Sequence, residues 1–430
     1  LIYVVHPLHT EAVAYVSGRA ASLSAAFMFA GLCFATWDDS GRKRVLWALL
    51  SSACFIGGLL SKESATIYPL LLAIVIFARP VTQGERKEEY LRRLLPLVLA
   101  AVLLGAYAWL RMTVLKFAQG STTASPLGQR VVETMQAFAL YIRLLFMPLD
   151  LHMERTLTGV SSLTTVAGAA LLVLMLMLFV LSIYRKRYRV AAGLIWFLVT
   201  WFPISGIFPL NAPMAEHWLY VPMAGLLLAF MEVLNDASAR PWVVRVATVG
   251  VTAACVWFAA LTVARNSDWR DNETLFLATL ADNPGSARVQ YNLAVTYEDL
   301  LRNAPGARRH YEAVVNLYKE KKAREGTPQA FWDDELESYL SLGRIYMKDQ
   351  QYQKAAEHYM QVLGIAADQR HRSLVASAAV GLVQCAMATG EMTQASEVLK
   401  KVLAADPQLK AEVERMLLGT GQTPLTSSGL

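Results

Sequence analysis

Apolar residues in roughly the first 265 positions fall in long runs separated by short polar breaks, the pattern of helices that cross a bilayer. The runs lie near 20–37, 45–60, 64–78, 94–110, 162–184, 190–208, 218–234 and 242–264, which predicts eight spans. Several are shorter than the roughly twenty residues a helix needs to cross the hydrocarbon core, so their ends are expected to extend into flanking polar sequence. Between the fourth and fifth runs, Val131 to Met147 is amphipathic and is expected as an interfacial or re-entrant helix, not a ninth span. After Ala264 the pattern becomes charged and helix-forming, with small and aromatic residues recurring. Tyr339, Leu342, Gly343 and Tyr346, then Ala355, Tyr359 and Val362, have the spacing of a tetratricopeptide helix pair. Leu382, Ala386, Ala395, Leu399, Val402 and Pro407 repeat it, and Leu293, Ala294, Tyr297, Ala307 and Tyr311 give a third copy with one inserted residue. "NETLFLATLADNP", 272–284, reads as the closing helix of a preceding unit, and "KEKKAREGTP", 319–328, as a solvated, mobile insertion between copies.

The predicted fold class is therefore all-α: a multi-spanning membrane bundle over 1–265, a tetratricopeptide α-solenoid over 266–420 and a disordered tail over 421–430. A hydrophobic content of 55% and a mean hydropathy of +0.35 agree with this. The 40 Lys and Arg outnumber 34 Asp and Glu, but the basic residues cluster in short loops between apolar runs, which signals topology and argues against nucleic acid as a partner. Arg42 to Arg44, Arg79 to Arg93, Arg185 to Arg189, and Arg240 with Arg245 fall on one side if the spans alternate, which by the positive-inside rule is the cytoplasm. The start of the chain, "SKES" at 61–64, residues 111–161, "NAPMAEHW" at 211–218 and everything after the last span then face outward. Cys33, Cys54 and Cys255 lie in apolar runs and only Cys385 lies beyond them, so no disulfide framework or thiolate metal site is available. The chain opens on Leu1 with no signal-peptide start, and is expected to begin partway through a longer protein.

Polar residues beside apolar sequence concentrate on the outward side: His6, His9, Glu11, Arg19, Lys62, Glu63, Arg111, Lys116, Arg143, Asp150, His152, Glu154, Arg155, Glu216 and His217. Such groups need partners or water, so they predict a polar cavity opening outward with acids and bases around it. Taken singly, Lys116, Arg130 and Arg143 read as snorkelling anchors. "HPLHTEAV", 6–13, does not, because His6, His9 and Glu11 are crowded together and Pro7 interrupts any helix through them. Two imidazoles and a carboxylate can ligate zinc, but His-x-x-His around a proline lacks the helical spacing of HExxH. Lys62 either forms a neutralised pair with Glu63 or offers an ammonium to a phosphate. No Gly-rich phosphate loop is present, and Gly57–Gly58 sits inside an apolar helix.

"HPLHTEAVAYVSGRA", "LSKESATIYPLLL", "NAPMAEHWLYVPMAG" and "RNSDWRDNETLFLATLADNPGSARVQYNLAV", together with the repeats, resemble the transmembrane and tetratricopeptide-repeat-containing (TMTC-type) proteins, which in animals are O-mannosyltransferases of the endoplasmic reticulum and have bacterial relatives of the same layout. The resemblance runs through the whole chain in order. It implies a GT-C-like membrane glycosyltransferase that moves a sugar from a polyprenyl or dolichyl phosphate, on the outer or lumenal side, to a protein hydroxyl held by the repeats. It implies no cofactor beyond that donor and leaves a divalent metal open. It also implies three further spans and an acidic outer loop upstream of Leu1, for eleven spans in all, and hence a fragment without turnover of its own. On this resemblance Glu11, His9 and His6 would serve catalysis, Lys62, Arg111 and Arg155 would face the donor phosphate, and Glu63, Glu216 and His217 would form the cavity wall. Two positions depart from the family pattern: His217 stands where an arginine often follows the glutamate, and Ser64 where a glutamine often follows the Lys-Glu pair. The expected setting is a bacterial inner membrane, or the endoplasmic reticulum in a eukaryote, with the repeats outside the cytoplasm. A different class, a non-catalytic repeat scaffold anchored by its spans, would share these elements but not need Glu11 or Lys62.

Overall fold

A computed structural model describes residues 1–37, 43–78, 93–115, 126–157, 159–210, 212–238, 240–327, 331–364, 371–390, 397–400, 404 and 406–419. Among these every regular element is helical. Lys116, Arg42, Arg79, Arg86, Lys87, Arg92, Ala395, Val402 and the tail 421–430 lie outside the described residues. The chain divides into two compact units, Leu1–Arg270 and Asp271–Leu430.

In the first unit each predicted run is a helix. Arg19–Thr36, Arg44–Ser61, Leu95–Val114, Ser162–Tyr184, Glu216–Asp236 and Pro241–Asp268 are long and apolar enough to cross a membrane, and the shorter apolar helices Glu63–Phe77 and Tyr188–Ile204 take the two remaining places. The protein is a multi-pass membrane protein. A seventh apolar helix of sufficient length, Arg372–Thr389, lies in the second unit and is 56% buried, against 6–28% for the others. That burial comes from neighbouring repeat helices, so it is a repeat helix.

Small residues let the spans approach. A side chain at Gly193 would meet the Gly225 carbonyl at 2.5 Å, so the helices Tyr188–Trp201 and Tyr220–Asp236 cross backbone to backbone there. One core gathers Met28, Phe55, Tyr68 and Leu71, with the buried Tyr68 hydroxyl 2.7 Å from Ser51 Oγ. A second gathers Phe138, Tyr141, Phe197, Trp201 and Leu219. The amphipathic stretch is the helix Leu127–Phe146, and its apolar face is covered by protein: Phe138, Tyr141 and Leu144 are buried in that second core.

In the second unit helix pairs stack in chain order. Ala287–Val295 packs on Ala304–Glu325, then Asp333–Lys348 on Tyr352–Leu363, then Arg372–Thr389 on Pro407–Gly419. The repeat positions do what the spacing implies: Tyr359 packs between Gly343 and Gly381, where an added Cβ would meet its ring at 2.4 Å on either side. The segment expected as a mobile insertion is instead helical through Glu325. Lys, Glu, Ala and Arg all propagate a helix well, and the helix stops at Gly326, whose φ of 63° is the left-handed cap that glycine adopts without strain. Lys322 anchors it to the buried Glu335 at 2.7 Å.

Candidate functional site

The site lies at the end of the spans where the first residues of the chain, the break at Lys62 and the start of the helix Tyr220–Asp236 meet. Pro7 separates the short helices Ile2–Val5 and His9–Ala14, and His6 before it is extended (φ −71°, ψ 127°), as steric clash with a following proline requires. The His6 ring is fully buried with both nitrogens used: Nε2 lies 3.1 Å from the Leu145 carbonyl and Nδ1 3.3 Å from the Leu8 N–H. That bonding assigns Nε2 as the protonated nitrogen and leaves neither free for a metal or a substrate. His9 is held by aromatic packing, its ring 4.5 Å from both Tyr3 and Tyr220, and both its nitrogens are buried without a hydrogen bond among the described residues. Burial keeps both imidazoles neutral, lowering His6 to about 4 and His9 to about 3.

Glu11 joins the beginning of the chain to a segment about two hundred residues away. Its Oε2 accepts the His217 N–H at 2.9 Å, capping the short 3-10 helix Glu216–Leu219, and its Oε1 lies 2.8 Å from His217 Nδ1, off the line of a hydrogen bond. Lys62 faces Glu11 and Glu63 electrostatically, and burial lowers its pKa. It stands in extended backbone (φ −159°, ψ 139°) between two helices. Among the described residues its ammonium has no hydrogen-bond or ion-pair partner. Glu63 is exposed and pairs with Arg111, which also donates to the Tyr107 hydroxyl at 3.1 Å. Arg111 thus pairs with Glu63, the neighbour of Lys62.

Glu216, 1% exposed, is the centre of a second cluster. Its Oε1 accepts the His152 backbone N–H at 2.7 Å and lies 3.4 Å from Arg155, while its Oε2 lies 3.5 Å from Arg265. Arg155 also donates to the Asp150 carbonyl, and Arg265 to the Leu151 carbonyl and to Asp268 at 3.2 Å. Desolvation opposes the Arg155 charge and Glu216 supports it. Burial, with the Arg155 charge beside it, lowers the His152 imidazole to about 4. The Tyr141 hydroxyl holds the approach to the 3-10 helix by accepting from Ala215 N at 3.0 Å and donating to Ala215 O at 3.3 Å.

Sequence reasoning set all of these residues around one outward cavity, with Arg155 beside Lys62 and Arg111 and with Glu216 beside His217; in the structure Arg155 pairs with Glu216 instead. Sequence reasoning missed Arg265, which reads as a cation flanking the last span, and Tyr141, which reads as one of many apolar-face aromatics. The signal for Arg265 was its position inside "RNSDW", where Asp268 follows at helical spacing. Among the described residues no three His, Cys, Asp or Glu side chains converge as a metal-holding group.

Comparison with known proteins agrees with this layout. A tetratricopeptide-repeat family profile matches residues 346–417. The chain is similar to the human protein O-mannosyl-transferase TMTC3, 22% identical over 84% of this chain. It is similar also to the Drosophila melanogaster protein O-mannosyl-transferase Tmtc3, 25% identical over 84%, and to the Caenorhabditis elegans protein O-mannosyl-transferase F38B6.6, 24% identical over 70%. The chain spans 42–43% of the length of these relatives. No solved structure matches it.

Proposed function

We propose that the first unit carries the transfer site of a glycosyltransferase that moves a sugar from a polyprenyl or dolichyl phosphate to a hydroxyl of a protein held by the repeats. The observation that carries this reading is that the half-buried Lys62 faces the buried Glu11 electrostatically at one end of the spans, in a chain similar to proteins named O-mannosyl-transferases. Glu11 serves as general base. It takes the proton from the acceptor hydroxyl as that oxygen bonds to the anomeric carbon, and the bond from that carbon to the lipid phosphate breaks with its electron pair going to the phosphate. Lys62, a half-buried ammonium without a hydrogen-bond or ion-pair partner among the described residues, neutralises the departing phosphate. His217 keeps Glu11 aimed, and the Glu216–Arg155–Arg265 cluster fixes the 3-10 helix from which His217 projects. His6, with both nitrogens engaged, is a positioning residue.

The repeats raise the local concentration of acceptor beside the site. On this proposal the repeats face outward, into the periplasm of a bacterial inner membrane or the lumen of an endoplasmic reticulum. The test is transfer of label from polyprenyl-phosphate sugars to membrane-extract proteins by protein purified from its own membranes. Wild type consumes donor, whereas Lys62→Met and Glu11→Gln do not at matched expression. Variants that transfer as well as wild type would leave the anchored scaffold as the reading.

A further inference from the structure

One described cavity of the first unit lies away from the transfer site. The helix Pro241–Asp268 packs on the rest of the unit near its C-terminal end, against Ile2–Val5 and His9–Ala14, with Thr262 Oγ1 donating to the Val5 carbonyl at 2.7 Å. Its N-terminal half stands off from Ser162–Tyr184 and Tyr220–Asp236, and the gap is a cleft of about 940 Å³. This is at the upper end of the roughly 300–1,000 Å³ range of ligand pockets, room for hydrocarbon chains. The lining is apolar except at one end. At the end nearest the polar cluster it closes on Leu145 and Phe258; at the other it carries Arg185 and Arg187 beside Trp242.

Those cations are not all neutralised by protein. Arg187 has Asp236 at 3.5 Å and Arg189 has Glu232 at 3.6 Å, while Arg185 and Lys186 have no carboxylate among the described residues. An apolar cleft with basic side chains and an exposed tryptophan at its mouth matches an amphiphile with an anionic head and hydrocarbon tails. We propose that this cleft binds an anionic glycerophospholipid, its tails between Tyr220–Asp236 and Pro241–Asp268 and its phosphate on Arg185 and Arg187. Arg185 and Trp242 lie by the start of the helix Pro241–Asp268, whereas Arg265 of the polar cluster lies at its other end. A donor with its phosphate at Lys62 therefore does not use this mouth, and the site is separate from transfer.

The test is native mass spectrometry of the full chain released from nanodiscs of equal phosphatidylglycerol and phosphatidylcholine. The expected result is one retained phosphatidylglycerol. Arg185→Gln, which breaks no ion pair, should lower its retention about fivefold, the effect of one basic side chain on an anionic lipid. Gly250→Phe should abolish retention, since no atom lies within 4 Å of a Cβ there and the added ring grows into the cleft. Unaltered helicity by circular dichroism qualifies each variant; if Gly250→Phe does not fold, the ratio of the two lipids on wild type decides. Equal retention of the two lipids, indifference to Arg185→Gln, or displacement by equimolar undecaprenyl phosphate would each overturn the proposal.

Discussion

Glu216→Gln isolates the role of the second cluster, because it removes a charge while keeping the shape. The glutamine carbonyl can still accept the His152 N–H, so that 2.7 Å hydrogen bond survives. What is lost is the counter-charge between Arg155 and Arg265, whose side chains are only 11% and 6% exposed. Removing one partner of a buried pair costs about 3–5 kcal/mol, because the remaining charge is stranded out of water. Arg265 keeps Asp268 at 3.2 Å, so the stranded cation is Arg155 and the lower end of that range applies. At about 2–4 °C per kcal/mol for a unit of this size, the apparent melting point of the spans should fall by roughly 6–12 °C. A thiol-reactive fluorophore in a Cys385→Ala background reads this transition, since Cys33, Cys54 and Cys255 all lie in the first unit. Adding Arg155→Met removes the stranded charge and should recover at least half of the loss. A fall below about 2 °C, or a double variant that loses the sum of both single changes, would mean that water screens the cluster and that it is not a rigid frame.

Three further outcomes follow from particular contacts. Glu11→Gln should lower sugar transfer by about 10²–10⁴-fold, the worth of a general base, while leaving the melting point nearly unchanged because the amide oxygen still caps His217 N–H; equal losses in both would make Glu11 structural. Gly381→Ala should destabilise the second unit by about 1–3 kcal/mol, since the new methyl meets the Tyr359 ring at 2.4 Å, and labelling of the buried Cys385 in the full chain should appear at lower temperature, with Tyr359→Leu relieving it. His6 and His9 are held near about 4 and about 3 when folded, so the unfolded chain binds the extra protons, and stability present above pH about 6.5 is lost as pH falls toward 4; His9→Phe, which keeps the ring between Tyr3 and Tyr220, should flatten that melting profile, and an unchanged profile would contradict the neutral, buried assignment.

What the sequence shows well is where polar groups are costly, and what it hides is their partners. The run read as 162–184 is the helix Ser162–Tyr184, because nothing in it competes with a span; the run read as 190–208 is an α-helix to Trp201 that tightens to a 3-10 turn through Ile204, where Pro203 and then Gly206 turn the chain. An apolar stripe such as Leu127–Phe146 looks the same whether lipid or protein covers it, so its burial was not legible. The candidate acids read alike for the same reason: Glu11, Glu63 and Glu216 are all carboxylates beside spans. Folding separates them. Glu63 is exposed and spent on Arg111, and Glu216 is clamped by two arginines contributed by separate segments of the chain. Glu11 is set against a backbone N–H and faces Lys62, whose ammonium has no hydrogen-bond or ion-pair partner among the described residues. A carboxylate that already has its arginines has little reason to take up a substrate proton. Beside Glu11, Lys62 still has a cation to offer, which favours transfer there and structural support at Glu216.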